Sequence, residues 1–265
     1  MSLLYLIRVP VSLPQLGRWA ALRNYGFTLR RGANGQQRDA GFDEGRALHH
    51  LLAETFGPGV LQPFRHIVTP GGSQAQLYAY SQKNAPALLD VAHACALPET
   101  SAIIDLARLA TKAMPQDWRS GRHLGFELRV RPVSRLLKPL DCSSNALPKG
   151  AEVDVFLLEA LRRFPTGAEE EKMLQAGRSR EAVYAGWLAQ RFAGAATLEP
   201  GVRLVRFQRV RAARKGYSPE GPDAILQGDL TVDDPVRFHL LLCQGIGRHK
   251  AYGYGMLLLR PSRRL

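Results

Sequence analysis

The stretch Gln244-Gly-Ile-Gly-Arg-His-Lys-Ala-Tyr-Gly-Tyr-Gly-Met256 carries the most information in this chain. It has the form GxGxxxxxGxG, and Arg248, His249 and Lys250 stand in its middle. Glycine permits a positive φ and a close approach of another backbone, so such a loop can present N–H groups and cations to one phosphate chain. A helix is expected before the segment and an apolar strand after it. This order differs from the dinucleotide-binding fingerprint, and without GK[ST] the segment is not a Walker loop.

The elements around this segment repeat in the two halves of the chain. In the second half, apolar periodicity predicts helices at 179–193 and 234–244 and strands at 202–211, 224–232 and 254–260. In the first half, it predicts strands at 3–9, 62–68, 75–80 and 124–131 and helices at 43–56 and 84–113. The first half therefore has the order β-α-β-β-α-β, which is typical of a ferredoxin-like unit. The second half is compatible with the same order, with the helical region at 150–177 inserted.

The expected fold class is α+β, with two tandem ferredoxin-like (RRM-like) βαββαβ domains. The first would span residues 1–135 and contain an arginine-rich insertion at 10–43, a long connection of the kind that is often functional. The second would span residues 136–265 and contain a helical insertion at about 150–177 and the glycine-rich loop at 245–255.

The composition favours a polyanionic partner. The 265 residues are 45% apolar and 22% charged, which is sufficient for a packed core. Lys and Arg number 36 against 23 Asp and Glu, so the formal charge is +13, and this excess favours nucleic acid or an anionic membrane surface. Most of the basic residues are arginine, which binds phosphate bidentately and stacks on bases. Nucleic acid is therefore the favoured partner.

Other features indicate the class of protein that is expected. The sequence contains no run of 18 apolar residues, so no membrane span is predicted. The apolar stretch at 3–9 is expected to be a strand rather than a signal peptide. Cys95, Cys142 and Cys243 lie far apart and lack metal-ligand spacing. We therefore expect a reduced, cytoplasmic protein with no disulfide framework, no metal, no cofactor and no membrane partner.

The glycine segment resembles the loop near the C-terminus of the RAMP superfamily, in particular of the CRISPR repeat-processing endoribonucleases. In the CasE branch the chain also ends with a Q-G-h-G loop, then G-h-G and an apolar strand that closes in L-x-P. The corresponding tail here is GYGMLLLRP, at 253–261. Four further stretches are similar in the same order: the first helix, the F-x-L-R-x-N-P strand that opens the second half, a helix with W-L, and the segment before the last helix, at 47–52, 126–132, 181–192 and 230–235.

Three departures from the CasE pattern stand out. Arg131 replaces the asparagine of F-x-L-R-x-N-P. The connection at 10–43 is longer and richer in arginine, and the helical stretch at 150–177 is extra. These features resemble the divergent version that is associated with type IV CRISPR systems.

The resemblance implies a metal-independent endoribonuclease. Such an enzyme binds the CRISPR repeat stem-loop and cleaves precursor CRISPR RNA by 2′-hydroxyl attack, which leaves a 5′-hydroxyl and a 2′,3′-cyclic phosphate. It then stays bound to the mature crRNA, as a monomer on its RNA, beside the other subunits of an effector complex. The alternative is a catalytically inactive RNA-binding scaffold of the same superfamily. A third reading is an unrelated nucleic-acid-binding protein with ferredoxin-like domains.

The chemistry requires a group that removes the proton of the 2′-hydroxyl and groups that stabilise the phosphorane. His49 matches the position of the family's active-site histidine on the first helix, and Tyr5 on the first strand is a candidate partner. The alternative is a site built from arginines, in which Arg23 and Arg38 are the preferred pair. Arginine is a poor base, but it can align and stabilise a phosphorane.

A wider basic surface is expected to hold the RNA, because an A-form stem is recognised mainly through its backbone and shape. On the predicted strand at 202–211, Arg203, Arg209 and Arg211 are expected to share one face. The other candidate RNA-binding residues lie in the arginine-rich connection, between the halves, after that strand and in the glycine segment: Arg30, Arg31, Arg129, Arg131, Arg214, Lys215, Gly245, Gly247, Arg248, His249 and Lys250.

Overall fold

The computed structural model describes residues 3–25, 27–31, 37–69, 71–141, 146–165, 170–211 and 220–262, and for 27–31 and 37–41 it describes the backbone alone. In the first half the elements are β1 (Tyr5–Ser12), α1 (Leu13–Leu22), β2 (Phe27–Arg31), β3 (Gln37–Phe42), α2 (Glu44–Phe56), β4 (Phe64–Val68), β5 (Gln74–Ser81), α3 (Ala85–Cys95), α4 (Pro98–Ser101) and β6 (Ala110–Ala113).

The strand β1 lies inside the first sheet, whose order is β4-β5-β1-β6 with antiparallel neighbours. Ile7 and Val9 are fully buried against the helices that cover one face. Asp43 caps the N-terminus of α2, because its side chain accepts a hydrogen bond from the Arg46 backbone N–H (3.0 Å). Gly57, with φ 93°, caps the C-terminus of the helix. The helix predicted at 43–56 is thus confirmed. Between β1 and α2, the arginine-rich connection forms α1 and the β2–β3 hairpin.

The second half has the same plan with additional elements. These are β7 (His123–Val130), β8 (Val133–Arg135), β9 (Glu152–Asp154), α5 (Val155–Arg163), α6 (Glu170–Gln175), α7 (Arg180–Phe192), β10 (Ala196–Leu198), β11 (Arg203–Arg211), β12 (Glu220–Val232), α8 (Pro235–Gln244) and β13 (Leu257–Arg260).

The second sheet has the antiparallel order β11-β12-β7-β13, and β10 pairs with the far end of β12. The long strand β12 therefore carries two partners, β11 and β10, on one edge. Without β10, this strand order matches that of the first sheet: in each, the second strand of the sheet in chain order lies at one edge and is followed by the third, the first and the fourth. The predicted fold class, two tandem ferredoxin-like units, is confirmed. None of the described helices has the length and apolar character needed to cross a membrane.

Two sequence-based expectations are wrong. The strand expected at 124–131 does not complete the first sheet, because β7 pairs with β12 and β13. The first sheet is completed by β6, inside the region that was expected to be helical up to residue 113. This strand has four residues, two of them exposed, and so lacks a detectable apolar run. A domain boundary at 135 would separate β7 from its own sheet.

The helical insertion also differs from the expectation. Near its start, Glu152–Asp154 form β9, which pairs with β8, and the helix α5 starts only at Val155. Asp154 ends β9 and caps α5, since its side chain accepts a hydrogen bond from the Phe156 backbone N–H at 2.9 Å. The region thus anchors to the body through a strand pair as well as through its helices.

The two halves share a core and a direct hydrogen bond. Leu4 and Tyr80 from the first half are buried in the larger core, together with Phe238 and Leu257 of the second half. The hydroxyl of Tyr80 donates a 2.9 Å hydrogen bond to the backbone carbonyl of Leu257 on β13. The first sheet is therefore fixed against the edge strand of the second.

We predict that Tyr80→Phe lowers the free energy of unfolding by about 1 kcal/mol, because it removes this buried hydrogen bond without opening a large cavity. Urea unfolding followed by circular dichroism measures the change. Tyr78→Phe is the matched control, since Tyr78 is half-buried on the same strand and its hydroxyl makes no hydrogen bond within the described residues. Equal stabilities of the two variants would contradict the role of Tyr80.

Candidate functional site

The glycine segment is held between the two halves by close backbone contacts. Gly245, Gly247, Gly253 and Gly255 all have φ between 70° and 82°. A Cβ on Gly245 would lie 2.9 Å from Pro63, and one on Gly247 would lie 3.2 Å from the Trp187 ring. A side chain at Gly245 is therefore disfavoured by space as well as by conformation, and one at Gly247 would require the Trp187 ring to shift.

Backbone hydrogen bonds close the segment into a loop. The Ile246 N–H donates to the Gly255 carbonyl (2.8 Å), and the Gly255 N–H donates to the Arg129 carbonyl on β7 (2.8 Å). Between these points, Lys250–Tyr252 form a 3₁₀ turn that begins after His249, which itself has φ 62°. The loop therefore has a defined shape, with Arg248, His249 and Lys250 on its outward turn.

A cavity of about 430 Å³ lies between the halves and borders this loop. From the first half it is lined by β4 and by the start of α2. From the second half it is lined by β7, β11 and the glycine segment. Its charged or titratable lining side chains are Asp43, Glu44, Arg65, His66, Arg129, Arg131, Arg206, Arg211 and His249.

Asp223 on β12 organises the arginines of this cavity. Its side chain is fully buried and accepts hydrogen bonds from Nε and Nη2 of Arg129, both 2.8 Å long. Gln208 donates to the same carboxylate at 2.9 Å, and Arg206 at 3.4 Å. Burial alone would raise the pKa of Asp223, but the Arg129 guanidinium outweighs it, so the pKa is lowered. The same contact raises the pKa of Arg129 despite its burial.

Arg131 and Arg129 both lie against the ring of Tyr254. The Arg129 guanidinium carbon is 4.5 Å from the ring centroid and that of Arg131 is 5.9 Å away. Arg131 is buried and donates from Nε to the Pro222 carbonyl at 3.2 Å. Both predicted RNA-binding arginines therefore lie in the groove between the halves, but their side chains are already engaged within the protein.

On the opposite wall, β4 contributes a buried arginine and a buried histidine. Arg65 pairs with Glu127 on β7 at 3.2 Å, which links the two sheets. His66 and Glu44 share a 3.0 Å hydrogen bond. Burial lowers the pKa of His66, and its hydrogen bond lowers the pKa of Glu44. Both pKa directions agree with a neutral His66 imidazole that donates a hydrogen bond from Nε2 to the ionised carboxylate of Glu44.

A row of rings connects α1 to the glycine segment. The ring of Tyr25 is stacked on His50 with centroids 3.9 Å apart, and His50 lies 5.2 Å from His49. His49 is half-buried and makes an edge contact with Tyr252, at 5.3 Å between centroids. The candidate acid–base histidine is therefore placed beside the glycine segment.

Arg23 lies at the C-terminal end of α1. Its Nη1 pairs with Glu54 on α2 at 2.7 Å, and Nη2 lies 3.6 Å from Glu99. The guanidinium carbon stands 4.8 Å from the centroid of the Trp19 ring. These contacts fix the orientation of the guanidinium. Tyr5, the candidate partner of His49, is half-buried at the start of β1 and packs against the apolar core of the first half.

Several predicted residues lie where only the backbone is described or outside the description. Arg30 and Arg38 are direct cross-strand partners in the β2–β3 hairpin, and Arg31 is the last residue of β2. Arg214 and Lys215 lie outside the described residues.

The prediction that Arg203, Arg209 and Arg211 share one face is wrong. A bulge at Val205 shifts the pairing of β11, so that Arg203 faces Gln227 whereas Arg209 faces Pro222. Since side chains alternate along β12, these partners lie on opposite faces of the sheet. Sequence alternation alone cannot detect an inserted residue. The structure instead places Arg206 on the face of Arg203.

Glu152 on β9 binds two side chains of the glycine segment. Its carboxylate pairs with Nε of Arg248 at 2.5 Å and with Nε2 of His249 at 2.7 Å. Burial would raise the pKa of Glu152, but these two partners lower it. The helical insertion thus holds the outward turn of the loop.

The residues that sequence reasoning missed are those that organise the cavity: Glu44, Arg65, His66, Arg206, Gln208, Asp223 and Tyr254. They come from five separate stretches and form no motif. The one available signal was Asp223, an acidic residue directly before the apolar run at 224–226 of β12. Among the described residues, no group of three or more His, Cys, Asp or Glu side chains is placed to hold a metal ion.

We predict that Asp223→Asn destabilises the fold by about 3 to 5 kcal/mol, because it leaves the buried Arg129 without its counter-ion. The lowered pKa of Asp223 means that its contribution is present above the unfolded value of about 3.9 and is lost as the pH falls through the folded value. The stability difference from wild type should therefore be largest at pH 7 and shrink in acid.

Urea unfolding between pH 3 and pH 7 measures this difference. Asp117→Asn is the control, because its carboxylate is 77% exposed and should change the stability by less than about 0.5 kcal/mol. A difference for Asp223→Asn that stays constant down to pH 3 would contradict the assigned pKa shift.

Comparison with known proteins identifies the family. A family model described as CRISPR associated protein matches residues 4–261, and no curated protein matches the chain in sequence. The fold is similar to that of CRISPR endoribonuclease Cse3 bound to 19 nt RNA, with a TM-score of 0.60 and 15% identity over 98% of this chain and 100% of the other. It is also similar to Thermus thermophilus Cse3 bound to an RNA that represents a pre-cleavage complex, with a TM-score of 0.58 and 15% identity over 98% of this chain and 100% of the other. A further similar structure is Cas6e from Escherichia coli str. K-12, with a TM-score of 0.53 and 21% identity over 97% of this chain and 99% of the other. With the family model spanning nearly its whole length, this chain belongs to the family of CRISPR-associated proteins.

Proposed function

We propose that the chain is a metal-independent endoribonuclease that binds the stem-loop of a CRISPR repeat and cleaves precursor CRISPR RNA by 2′-hydroxyl attack. It stays bound to the mature crRNA, as a monomer on its RNA, within a cytoplasmic effector complex. The observation that carries this proposal is the similarity of nearly the entire fold to a CRISPR endoribonuclease bound to RNA. The formal charge of +13 supports a polyanionic substrate.

The reaction needs one proton removed and one proton supplied. The 2′-oxygen forms a bond to phosphorus as its proton leaves, and the bond from phosphorus to the 5′-oxygen breaks as that oxygen gains a proton. An imidazole titrates near neutral pH and can serve either step. His49 is the proposed acid–base group, because it lies beside Tyr252 of the glycine segment. Tyr5 remains the proposed second group.

Arginines are proposed to hold the scissile phosphate. Arg23 is oriented by Glu54 and by the ring of Trp19 before any substrate binds. Such preorganisation stabilises the phosphorane without a cost of reorganisation during the reaction. Arg38, which faces Arg30 across the hairpin, is the proposed second arginine. Arg31 would contact the RNA from the same hairpin.

The stem is proposed to contact β11 and the glycine segment. Arg203 is exposed and pairs with no carboxylate in the described part of the chain, whereas Arg209 and Arg211 share Glu220 (2.8 and 3.5 Å). Arg214 and Lys215 would continue the basic surface after β11. A surface of this kind suits a stem that is bound through its backbone.

The arginine-rich connection and the helical insertion support assignment to the divergent type IV version of the family. In this chain the arginine-rich connection forms α1 and the β2–β3 hairpin, and the helical insertion forms β9, α5 and α6. The substitution of the family's asparagine by the buried Arg131 is consistent with the same assignment.

The proposed function predicts that wild-type protein cuts an end-labelled cognate repeat RNA at one position in EDTA under single-turnover conditions. A 2′-deoxy nucleotide at the cut site should abolish the cut, because it removes the attacking oxygen. Binding without cutting would assign the chain to the inactive RNA-binding scaffold. A chain that does not prefer the repeat hairpin over a random stem-loop would contradict the proposal altogether.

Variants assign the roles in the same assay. His49→Ala is expected to lower the single-turnover rate by about 10²- to 10⁴-fold through loss of proton transfer. Arg23→Ala and Arg38→Ala should lower the rate with little change in RNA affinity, because each acts on the phosphorane. Glu54→Gln is the control for Arg23, since it weakens the ion pair but keeps the guanidinium. If Glu54→Gln and Arg23→Ala lose the same activity, the role of Arg23 is structural.

A further inference from the structure

A second concave surface borders the glycine segment and has a different charge balance from the cavity between the halves. This α7–α8 groove, of about 620 Å³, is bounded by the end of α7, by β8 and by the first part of the glycine segment. One face of α8 lines it, through Arg237, Leu240, Leu241 and Gln244. These positions follow the helical repeat, so the lined face is about 10 Å long.

The groove is basic and largely unneutralised. Its cationic lining residues are Arg135, Arg191, Arg237, Arg248 and Lys250, and its described lining includes no carboxylate. Arg248 is paired with Glu152, and Arg237 lies 3.6 Å from Asp234. Arg135, Arg191 and Lys250 have no carboxylate partner in the described part of the chain. In the cavity between the halves, by contrast, Asp223, Glu127 and Glu220 pair with Arg129, Arg65 and Arg211.

Stabilisation of helix ends does not account for this cluster. Arg191 lies in the last turn of α7, where a cation is favourable. Arg237, however, lies in the first turn of α8, where the helix dipole disfavours a cation. Its guanidinium lies across Gly194, and a Cβ there would stand only 2.6 Å from Nη1. The chain thus places the Arg237 guanidinium, which the helix dipole disfavours at this end of α8, over Gly194 at the groove.

The backbone of the glycine segment adds a donor. The Gly245 N–H is bonded to the Leu241 carbonyl and the Ile246 N–H to the Gly255 carbonyl. The Gly247 N–H has no hydrogen-bond partner within the described residues, and Gly247 lines the groove. A backbone N–H beside convergent cations is a suitable donor for a phosphate oxygen.

We infer that the α7–α8 groove binds the phosphodiester backbone of RNA, with Arg135, Arg191 and Arg237 as contacts beyond β11 and the hairpin. The inference rests on the proposed function and extends it to a separate surface. Arginine forks fit carboxylates as well as phosphates. The groove is continuous with the glycine segment that the proposed function gives to RNA, and this favours phosphates over an acidic peptide.

The test is the salt dependence of RNA binding by the Arg191→Gln/Arg237→Gln double variant. Fluorescence anisotropy with a labelled cognate repeat RNA gives Kd between about 50 and 200 mM NaCl. Each lost phosphate contact should reduce the slope of log K against log salt by about 0.7 to 0.9, so the double variant should lose about 1.4 to 1.8. Arg119→Gln is the control, because Arg119 is 83% exposed and lies outside the groove.

The outcomes separate this inference from the proposed function. A wild-type slope and Kd in the folded double variant, with cleavage intact, would overturn the groove assignment and leave the nuclease in place. Loss of binding to a labelled polyglutamate peptide, with RNA binding unchanged, would overturn it in favour of an acidic protein partner. Wild-type protein that fails to bind the repeat RNA would overturn both. Thermal unfolding confirms that the double variant is folded.

Discussion

The packing of the glycine segment between the two halves is the constraint on which the rest of the structure depends. Gly245 contacts Pro63 ahead of β4, and Gly253 lies against Phe64 and His66 on that strand. The Gly255 N–H bonds to β7 in the second sheet. Because one short loop touches both sheets, its position determines the cavity between them and the site of His49 and Tyr252. A side chain at Gly245 would push the loop away from Pro63 and so separate the two surfaces that the proposed function assigns to RNA.

Buried charge makes this junction rigid as well as basic. Asp223 holds Arg129 with two 2.8 Å hydrogen bonds inside the second sheet, and Arg65 reaches across to Glu127 from the first. Ion pairs of this kind contribute little net stability compared with apolar packing, yet losing one partner is costly. Their effect is to fix guanidinium groups at one orientation. Arg203 on β11 and Arg191 in the α7–α8 groove pair with no carboxylate within the described residues, and there an incoming RNA phosphate chain is proposed to displace water and counterions.

The sequence was sufficient for the elements that bury a regular apolar face. The helices α2, α7 and α8 and the strand β11 agree closely with their predicted ranges, because periodicity and caps such as Asp43 and Asp234 are local signals. The strand β12 begins at Glu220, ahead of its predicted start at residue 224. The strand β6 was missed because its four residues are half-buried or exposed and gain their structure from β1. The Val205 bulge and the Asp223 network depend on partners distant in sequence, which no single segment encodes. His49 was identified as a candidate only by resemblance, and the fold brings its ring to Tyr252 of the glycine segment.

We propose that the two ferredoxin-like units of this scaffold present a histidine, oriented arginines and a shaped loop to one RNA substrate. The central claim is that RNA is cut by its own 2′-hydroxyl, with the protein supplying proton transfer and charge. Mass spectrometry of the fragments from wild-type protein and cognate repeat RNA tests this most directly. The account predicts a downstream fragment with a 5′-hydroxyl and an upstream fragment with a 2′,3′-cyclic phosphate or its hydrolysis product. Fragments with a 5′-phosphate and a 3′-hydroxyl would contradict it.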